Sequence, residues 1–339
     1  MKSKVYQWYR QNTTALAPIE EKVGKDDFEF NTKSKEKLVM KDLIAENFVL
    51  LTKIGSKSVD DFTHDIILSY SLKENIEVVL KKEEKKKMKK KSPLYNELKT
   101  YQTLLDISNT TDLTGIKSIP QLEIQGLPKF YGFGEKNDEN DYFYLIQEFL
   151  GPNLSQLLNY CGKNKFTLGT ICLLAMQILN RIEYIHKRHF LHRDIKPENF
   201  LIGNEENTNT IYLIDFSYSK RFKDNKTNQH IPFRKDRQFF REKGTNNSNN
   251  NKIYYSTNYT FTSINAHLKL EQSRRDDLMS IGYVLIYLLK GVLPWQAFDR
   301  KEPDKLVQKK IQIPNDILCS GLPNEFLHYL NYCKNLKFE

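Results

Sequence analysis

The stretch from Leu168 to Phe216 constrains the fold more than any other part of this 339-residue chain. It opens with apolar residues at helical spacing in "LGTICLLAMQILNRIEYIHKRHF". A polar loop follows, "HRDIKPENF", and then two short apolar runs, "FLIG" and "IYLIDF", separated by the polar turn "NEENTNT". The second run delivers a carboxylate, Asp215, at its end. A long buried helix must therefore hand the chain to a loop and a small strand pair.

The flanking sequence divides by texture. "NFVLLTKIG", "DIILSYS" and "IEVVLKK" have the apolar alternation of strands, and "KFYGFGEKNDENDYFYLIQEF" reads as a hairpin of aromatic strands around a polar turn. "SPLYNELKTYQTLL" has helical spacing, with Ser92 placed as an N-cap and Pro93 at the first helical position. Farther on, "RRDDLMSIGYVLIYLLKG" predicts an apolar helix that stops at Gly291, with Pro294 just beyond. Strands dominate the first third and helices the rest, so the pattern predicts two lobes, and no internal repeat is visible. Residues 1–46 are charged and weakly patterned; they read as a partly disordered extension with one short helix around "KEKLVMKDLIAENF". "KKEEKKKMKKK" (81–91) reads as a solvated charged connection, with an anion-binding or nuclear-import patch as the alternative. "GTNNSNNN" (244–251) reads as a surface insertion.

Composition narrows the function classes. The hydrophobic share of 39% and charged share of 28% suit a soluble globular chain. A net charge of +10 favours acidic partners without choosing among nucleic acid, acidic protein and anionic membrane. Cys161, Cys172, Cys319 and Cys333 form no C-x-x-C pair, which argues against a zinc ribbon or disulfide framework and suits a reducing compartment. The N-terminus lacks the apolar core of a secretory signal, and "IGYVLIYLL" is too short to span a bilayer. These features predict an intracellular protein, cytoplasmic or nuclear, with no membrane span, and a monomer.

The loop "HRDIKPENF" carries the chemistry. Phosphoryl transfer from ATP needs a carboxylate to accept the proton of the substrate hydroxyl, a cation near the moving phosphate, and oxygen ligands for Mg2+. Asp194, Lys196 and Asn199 fit those needs in that order, and Asp215 supplies a second metal ligand. A polar loop with an Asx-turn and a helix cap is the bland alternative. The full spacing, followed by a strand into Asp-Phe, favours the catalytic reading.

With these motifs in place the chain resembles the casein kinase I family of serine/threonine protein kinases. The similarity is carried by "SINAHLKLEQSRRDDLMSIGYVLIYLLKGVLPWQ" (263–296), by "FLGPNL", "RIEYIH" and "QHIPFR", and by "LPNEFLHYLNYCKNLKF". "SIN" (263–265) stands where most kinases carry Ala-Pro-Glu. The resemblance implies an α+β, bilobal protein-kinase fold with a small β-rich N-lobe and a large, mostly helical C-lobe. It places the N-lobe at 47–147, a hinge at 148–152, the C-lobe at 153–339 and an Asn-rich insertion at about 242–257. The family's catalytic domain usually continues a little beyond the position matched by Glu339. The resemblance also implies ATP and Mg2+ as cofactors and acidic or phosphorylated protein substrates, with no specific nucleic acid. Lys81, with Lys82 as the alternative, resembles the strand lysine that pairs the α/β-phosphates, and Glu97 the helix glutamate that salt-bridges it. The carbonyl of Glu148 and amide of Leu150 match the groups that hold adenine, Gln147 the position controlling depth, and Leu201 the apolar floor under the base. Asp277 matches the buried aspartate that braces the catalytic loop.

Three departures accompany the match. The phosphate-covering loop keeps only Gly55 in "KIGSKSVDDFTHDIIL", is longer than usual, and places Asp60 and Asp61 where polyphosphate would be repelled, with Lys57 as partial offset. Ser217 replaces the glycine after Asp215-Phe216, at a cost on the order of 1 kcal/mol if its φ is positive. Thr260 stands where the family's phosphate-reading arginine belongs, and "RKDRQFFREK" (234–243) offers substitute charge. A catalytically weak scaffold therefore remains the alternative function.

Overall fold

Alternating apolar side chains between Phe48 and Glu84 give three long strands that can cover one core with one face. The structure is a computed structural model, and it describes residues 43–44, 47–59, 62–84, 92–105, 126–136, 142–162, 164–204, 207–224, 226–235, 258–298 and 302–339. The chain divides into two compact units, Met1–Pro152 with Ile202–Thr210, and Asn153–Leu201 with Ile211–Glu339.

The first unit is β-rich. Strands β1 (Leu43–Ile44), β2 (Phe48–Val59), β3 (Phe62–Ser71), β4 (Ile76–Glu84), β5 (Phe130–Lys136) and β6 (Tyr142–Glu148) form one antiparallel sheet in the order β1-β2-β3-β4-β6-β5. Ile44, Phe48, Val78, Leu80, Tyr142, Tyr144 and Ile146 make a buried cluster on it. Helix α1 (Pro93–Leu104) buries Leu94, Leu98, Tyr101 and Leu104 along one stripe, and Tyr101 stacks on Phe130 with ring centroids 6.0 Å apart. Ser92 caps it as the sequence predicts, its hydroxyl accepting from the Tyr95 N–H at 3.1 Å.

One sequence expectation fails here. The tail of "KEKLVMKDLIAENF" is not helical: Leu43–Ile44 pairs antiparallel with Phe48–Val49. Ile44 and Phe48 are each 2% exposed, and burying both against the sheet outweighs the helical propensity of a short charged segment. The rest of residues 1–46, the lysine run 85–91 and the Asn-rich insertion lie outside the described residues.

The second unit is mostly helical, completing the α+β class. It contains α2 (Leu154–Tyr160), α3 (Leu168–Lys187), the short strands β7 (Phe190–Leu191), β8 (Phe200–Ile202), β9 (Ile211–Leu213) and β10 (Lys220–Arg221), and then α4 (Ile264–His267), α5 (Arg274–Lys290), α6 (Pro303–Gln312), α7 (Asn315–Leu318) and α8 (Asn324–Asn335). β8 pairs with β9, and β10 with β7. Helix α3 is the one described helix long and apolar enough to cross a membrane by length and composition. It turns Ile171, Leu174, Ile178, Ile182 and Ile185 inward and leaves Leu168, Leu173 and Met176 exposed, and its buried Arg181 donates from Nε to the Ile211 carbonyl at 3.0 Å. Helix α5 ends where the sequence places its stop, at Gly291 with φ 81°. Within α5, a Cβ on Gly282 would lie 2.5 Å from a Leu330 methyl carbon, so only glycine lets α8 approach this closely.

Candidate active site

The loop between β7 and β8 is held from behind by one side chain. Asp277, 2% exposed on α5, accepts from the backbone N–H of His192 at 2.8 Å and of Arg193 at 2.9 Å, and pairs with His186 Nε2 at 2.9 Å. Burial pushes the Asp277 carboxyl up, but the His186 contact, the neighbouring imidazoles and the Arg193 N–H together hold it below its ordinary value. Arg193 is forced to φ 67°, a left-handed conformation that costs about 1 kcal/mol or more in a non-glycine residue and is sustained by those bonds.

On this support Asp194 is fully buried, at 0% exposure. Its Oδ2 accepts from Lys196 Nζ at 2.7 Å and from Asn199 Nδ2 at 3.1 Å, and its carbonyl accepts from the same amide at 2.8 Å. The Asn199 carbonyl accepts from the Ile214 N–H at 3.0 Å, which seats the next residue, Asp215, beside the loop. His192 adds a second tie, with Nε2 3.1 Å from the Ile214 carbonyl and its ring 5.3 Å from that of Phe216. Asp194, Lys196, Asn199 and Asp215 are thus one cluster, as their spacing in the sequence predicts.

Ser217 behaves differently from its sequence reading. The left-handed residue is Asp215 itself, at φ 70°, and Ser217 is not among the positive-φ positions. The Ser217 hydroxyl, 1% exposed, donates to Asp215 Oδ1 at 2.6 Å. The side chain that glycine would lack therefore orients the carboxylate. Sequence alone could not supply this, because it depends on where φ turns positive.

Among the described residues no group of three or more His, Cys, Asp or Glu side chains converges on a metal position. Asp215 and Asn199 offer one carboxylate and one amide oxygen. A zinc or calcium cage needs more ligands, whereas Mg2+ takes one or two protein oxygens and fills its octahedron with water and phosphate oxygens. The donor set fits Mg2+ carried with a nucleotide.

The first unit holds the other residues except Leu201. Lys81 Nζ lies 2.6 Å from Glu97 Oε1, with side chains 7% and 0% exposed. Lys82 instead sits over the Tyr142 ring at 4.2 Å, so the pairing goes to Lys81. Glu148 ends β6, its N–H donating to the Lys129 carbonyl and its Oε2 accepting from the Lys129 N–H. Leu150 is buried, and its N–H has no partner among the described residues, which fits a donor kept for a ligand such as an adenine ring. Gln147 is also buried. Leu201 lies in β8 of the second unit, bridged to Asn153.

Gly55 pairs with Ile66 and lacks a positive φ. The pairing continues past it through Lys57–His64 to Val59–Phe62, so the expected phosphate loop is an extended β ladder. Two register shifts, at Leu50/Thr52 and Lys53/Gly55, bend it. Asp60, Asp61 and the side chain of Lys57 lie outside the described residues.

Sequence reasoning missed two buried cations, Arg181 and Lys310. Lys310, 2% exposed on α6, donates to the carbonyls of Tyr259, Thr260 and Thr262 at 3.1, 2.9 and 2.7 Å and fixes the segment before "SIN". Burial lowers its pKa well below the ordinary value, and the three carbonyls are what sustain an ammonium there. Its signal was faint: one lysine on the apolar face of a lysine-rich helix. The segment is also tied to the loop that carries Asp194, Asn258 Nδ2 donating to the Ile195 carbonyl at 2.8 Å. Ser263 and Asn265 both donate to Asp276 Oδ1, at 2.7 and 3.0 Å, so "SIN" anchors the segment to α5.

Beside Lys310, burial and then the Lys310 charge push His267 down to about 3 from 6.5. Below about pH 6.5 the unfolded chain binds a proton that the folded one refuses until about pH 3. Stability from this group is therefore full above 6.5 and falls with pH, by up to about 1.4 kcal/mol per unit. Urea midpoints followed from pH 7 towards 4 are expected to fall less steeply in His267→Gln than in the parent; equal slopes would refute the assignment.

A family model described as protein kinase domain matches residues 64–329. The matched span begins within β3, after β2 and Gly55.

Proposed function

Because this chain belongs to the protein kinase family, we propose that it is a working serine/threonine kinase of the casein kinase I type. On this reading it transfers the γ-phosphate of ATP to Ser/Thr hydroxyls in acidic protein segments. The observation that carries the proposal is the intact Asp194–Lys196–Asn199–Asp215 cluster, pinned by Asp277. Asp194 orients the substrate hydroxyl and takes its proton. Lys196, already ion-paired to Asp194, compensates negative charge at the transferring phosphate. Asn199 and Asp215 hold Mg2+, which when bound neutralises phosphate charge. Lys81, oriented by Glu97, would pair with the α/β-phosphates, while the Glu148 carbonyl and Leu150 amide would take the adenine edge. The casein kinase I assignment is supported by "SIN" in its anchored position. Thr260 in place of an arginine weakens reading of a phosphate already on the substrate, so acidic side chains are the main specificity signal. Four free cysteines suit a cytoplasmic or nuclear setting.

A second reading, a scaffold with weak catalysis, is favoured by one observation: the paired hairpin through Gly55 offers no glycine-rich cradle for phosphate. Incorporation of labelled phosphate into casein with Mg-ATP, followed by identification of the phosphorylated amino acid, separates the two. Phosphoserine or phosphothreonine supports the kinase. No incorporation, with no thermal shift on adding Mg-ATP, supports the scaffold.

Ser217 gives a finer test. Ser217→Ala removes a hydrogen bond to a carboxylate, worth about 1.5–3 kcal/mol. It is expected to raise the Mg2+ concentration for half-maximal rate roughly tenfold, leaving the KM for protein substrate unchanged. An unaltered Mg2+ dependence would mean that Ser217 does not orient the metal ligand.

A further inference from the structure

Behind the catalytic loop the second unit contains a cavity of 650 Å³, within the roughly 300–1,000 Å³ of ligand sites. Its wall is rich in cations: Lys187, Lys223, Arg274, Arg275 and Lys337 line it, against the carboxylates of Glu183 and Glu339. Glu183 is already paired with Lys187 at 2.8 Å. Lys223, Arg274 and Lys337 have no carboxylate partner among the described residues.

The two arginines are held in place by aromatic rings instead. Arg274 lies over Phe222 at 5.1 Å. Arg275 lies over Phe338 at 6.0 Å and donates from Nη1 to the Leu336 carbonyl at 2.9 Å, while its Nε is buried without a partner. Phe338 is itself packed edge-on against His230 and Phe233, at 4.8 and 5.2 Å, which fixes this wall. The local potential is felt by His189, also in the wall: burial and then the charges of Lys223, Arg221 and Arg274 hold its pKa below the ordinary value. Holding cations together without counter-charge costs free energy, and an anion entering the cavity recovers it. Guanidinium groups and ammoniums together suit phosphate oxygens, and the apolar surface of Phe222, Leu278 and Leu336 suits an apolar body attached to the phosphate.

We propose that this cavity binds a phosphate group carried on a partly apolar ligand, such as a phosphoserine flanked by leucines in a peptide. It does not depend on the kinase reading, since none of the five cations belongs to the catalytic cluster. The cavity does share His186 with the Asp277 brace, so an occupant would lie against the support of the catalytic loop.

The test is calorimetric titration with three probes: a leucine-flanked phosphoserine peptide, its unphosphorylated twin, and inorganic phosphate. The phosphopeptide is expected to bind at least tenfold more tightly than its twin. The double variant Lys223→Glu/Lys337→Glu, and separately Arg274→Ala, are expected to weaken it at least tenfold, whereas Asp194→Asn leaves it unchanged. Inorganic phosphate binding as tightly, and lost in the same variants, supports the phosphate site and identifies free phosphate as the ligand. Equal binding of both peptides, or phosphopeptide binding that survives both cavity variants, overturns the proposal. Casein phosphorylation by the Lys223→Glu/Lys337→Glu variant is expected at the parent rate, which keeps this result separable from failure of the kinase reading.

Discussion

Asp194→Asn is expected to lower phosphate transfer to casein by about 10²- to 10⁴-fold, the usual worth of a positioned general base. Fold stability should change little. An asparagine side chain presents an oxygen to Lys196 Nζ and Asn199 Nδ2 much as the carboxylate does, and the Asp277 bonds that pin the loop use the backbone of His192 and Arg193. The measurement is an initial rate alongside a melting temperature. A large loss of rate at constant melting temperature supports Asp194 as the proton acceptor. Equal rates for variant and parent would sink that role.

The largest stability effect is expected at Lys81. Lys81→Met leaves Glu97 charged at 0% exposure, and uncompensated buried charges of this kind cost about 3–5 kcal/mol. The penalty is sharpened by Glu83, 1% exposed, whose carboxyl is pushed up by burial and further by Glu97. With Lys81 gone, two buried carboxylates share a region without its cation. Lys81→Met with Glu97→Leu should recover most of the lost stability, because apolar groups can replace a buried pair at little net cost. Neither variant should show a thermal shift with Mg-ATP. Urea unfolding distinguishes the outcomes: a Lys81→Met loss under about 1 kcal/mol would mean that the pair contributes no buried charge compensation in solution.

Much of this architecture was legible in the chain because its signals are local. Apolar alternation gave β2 to β6, helical spacing gave α1, α3 and α5, and Ser92 and Gly291 marked ends that depend on a single cap each. The clustering of Asp194, Lys196 and Asn199 was legible for a related reason. Asp194, Lys196 and Asn199 lie within one short loop, so their spacing nearly fixes their geometry. Other features needed distant partners. Leu43–Ile44 is a strand only because Phe48–Val49 lies opposite, and "KIGSKSV" is a ladder only because β3 pairs along its length. Lys310 reads as a surface lysine until three carbonyls from the segment before "SIN" are found around it.

The sequence by itself determined which chemical groups this protein possesses and which of them lie close along the chain: two carboxylates, a cation and an amide, on an α+β frame. The tertiary structure decided how those groups are held. It gave the left-handed φ to Asp215 rather than Ser217, so a hydroxyl that looked like a defect orients the carboxylate. It chose Lys81 over Lys82 as the partner of Glu97, and it gathered Lys187, Lys223, the two arginines of α5 and Lys337 around one cavity. The physical reason is the same in each case. Backbone angle, burial and charge compensation depend on groups far apart in sequence, and only the folded chain brings those groups within a few ångströms.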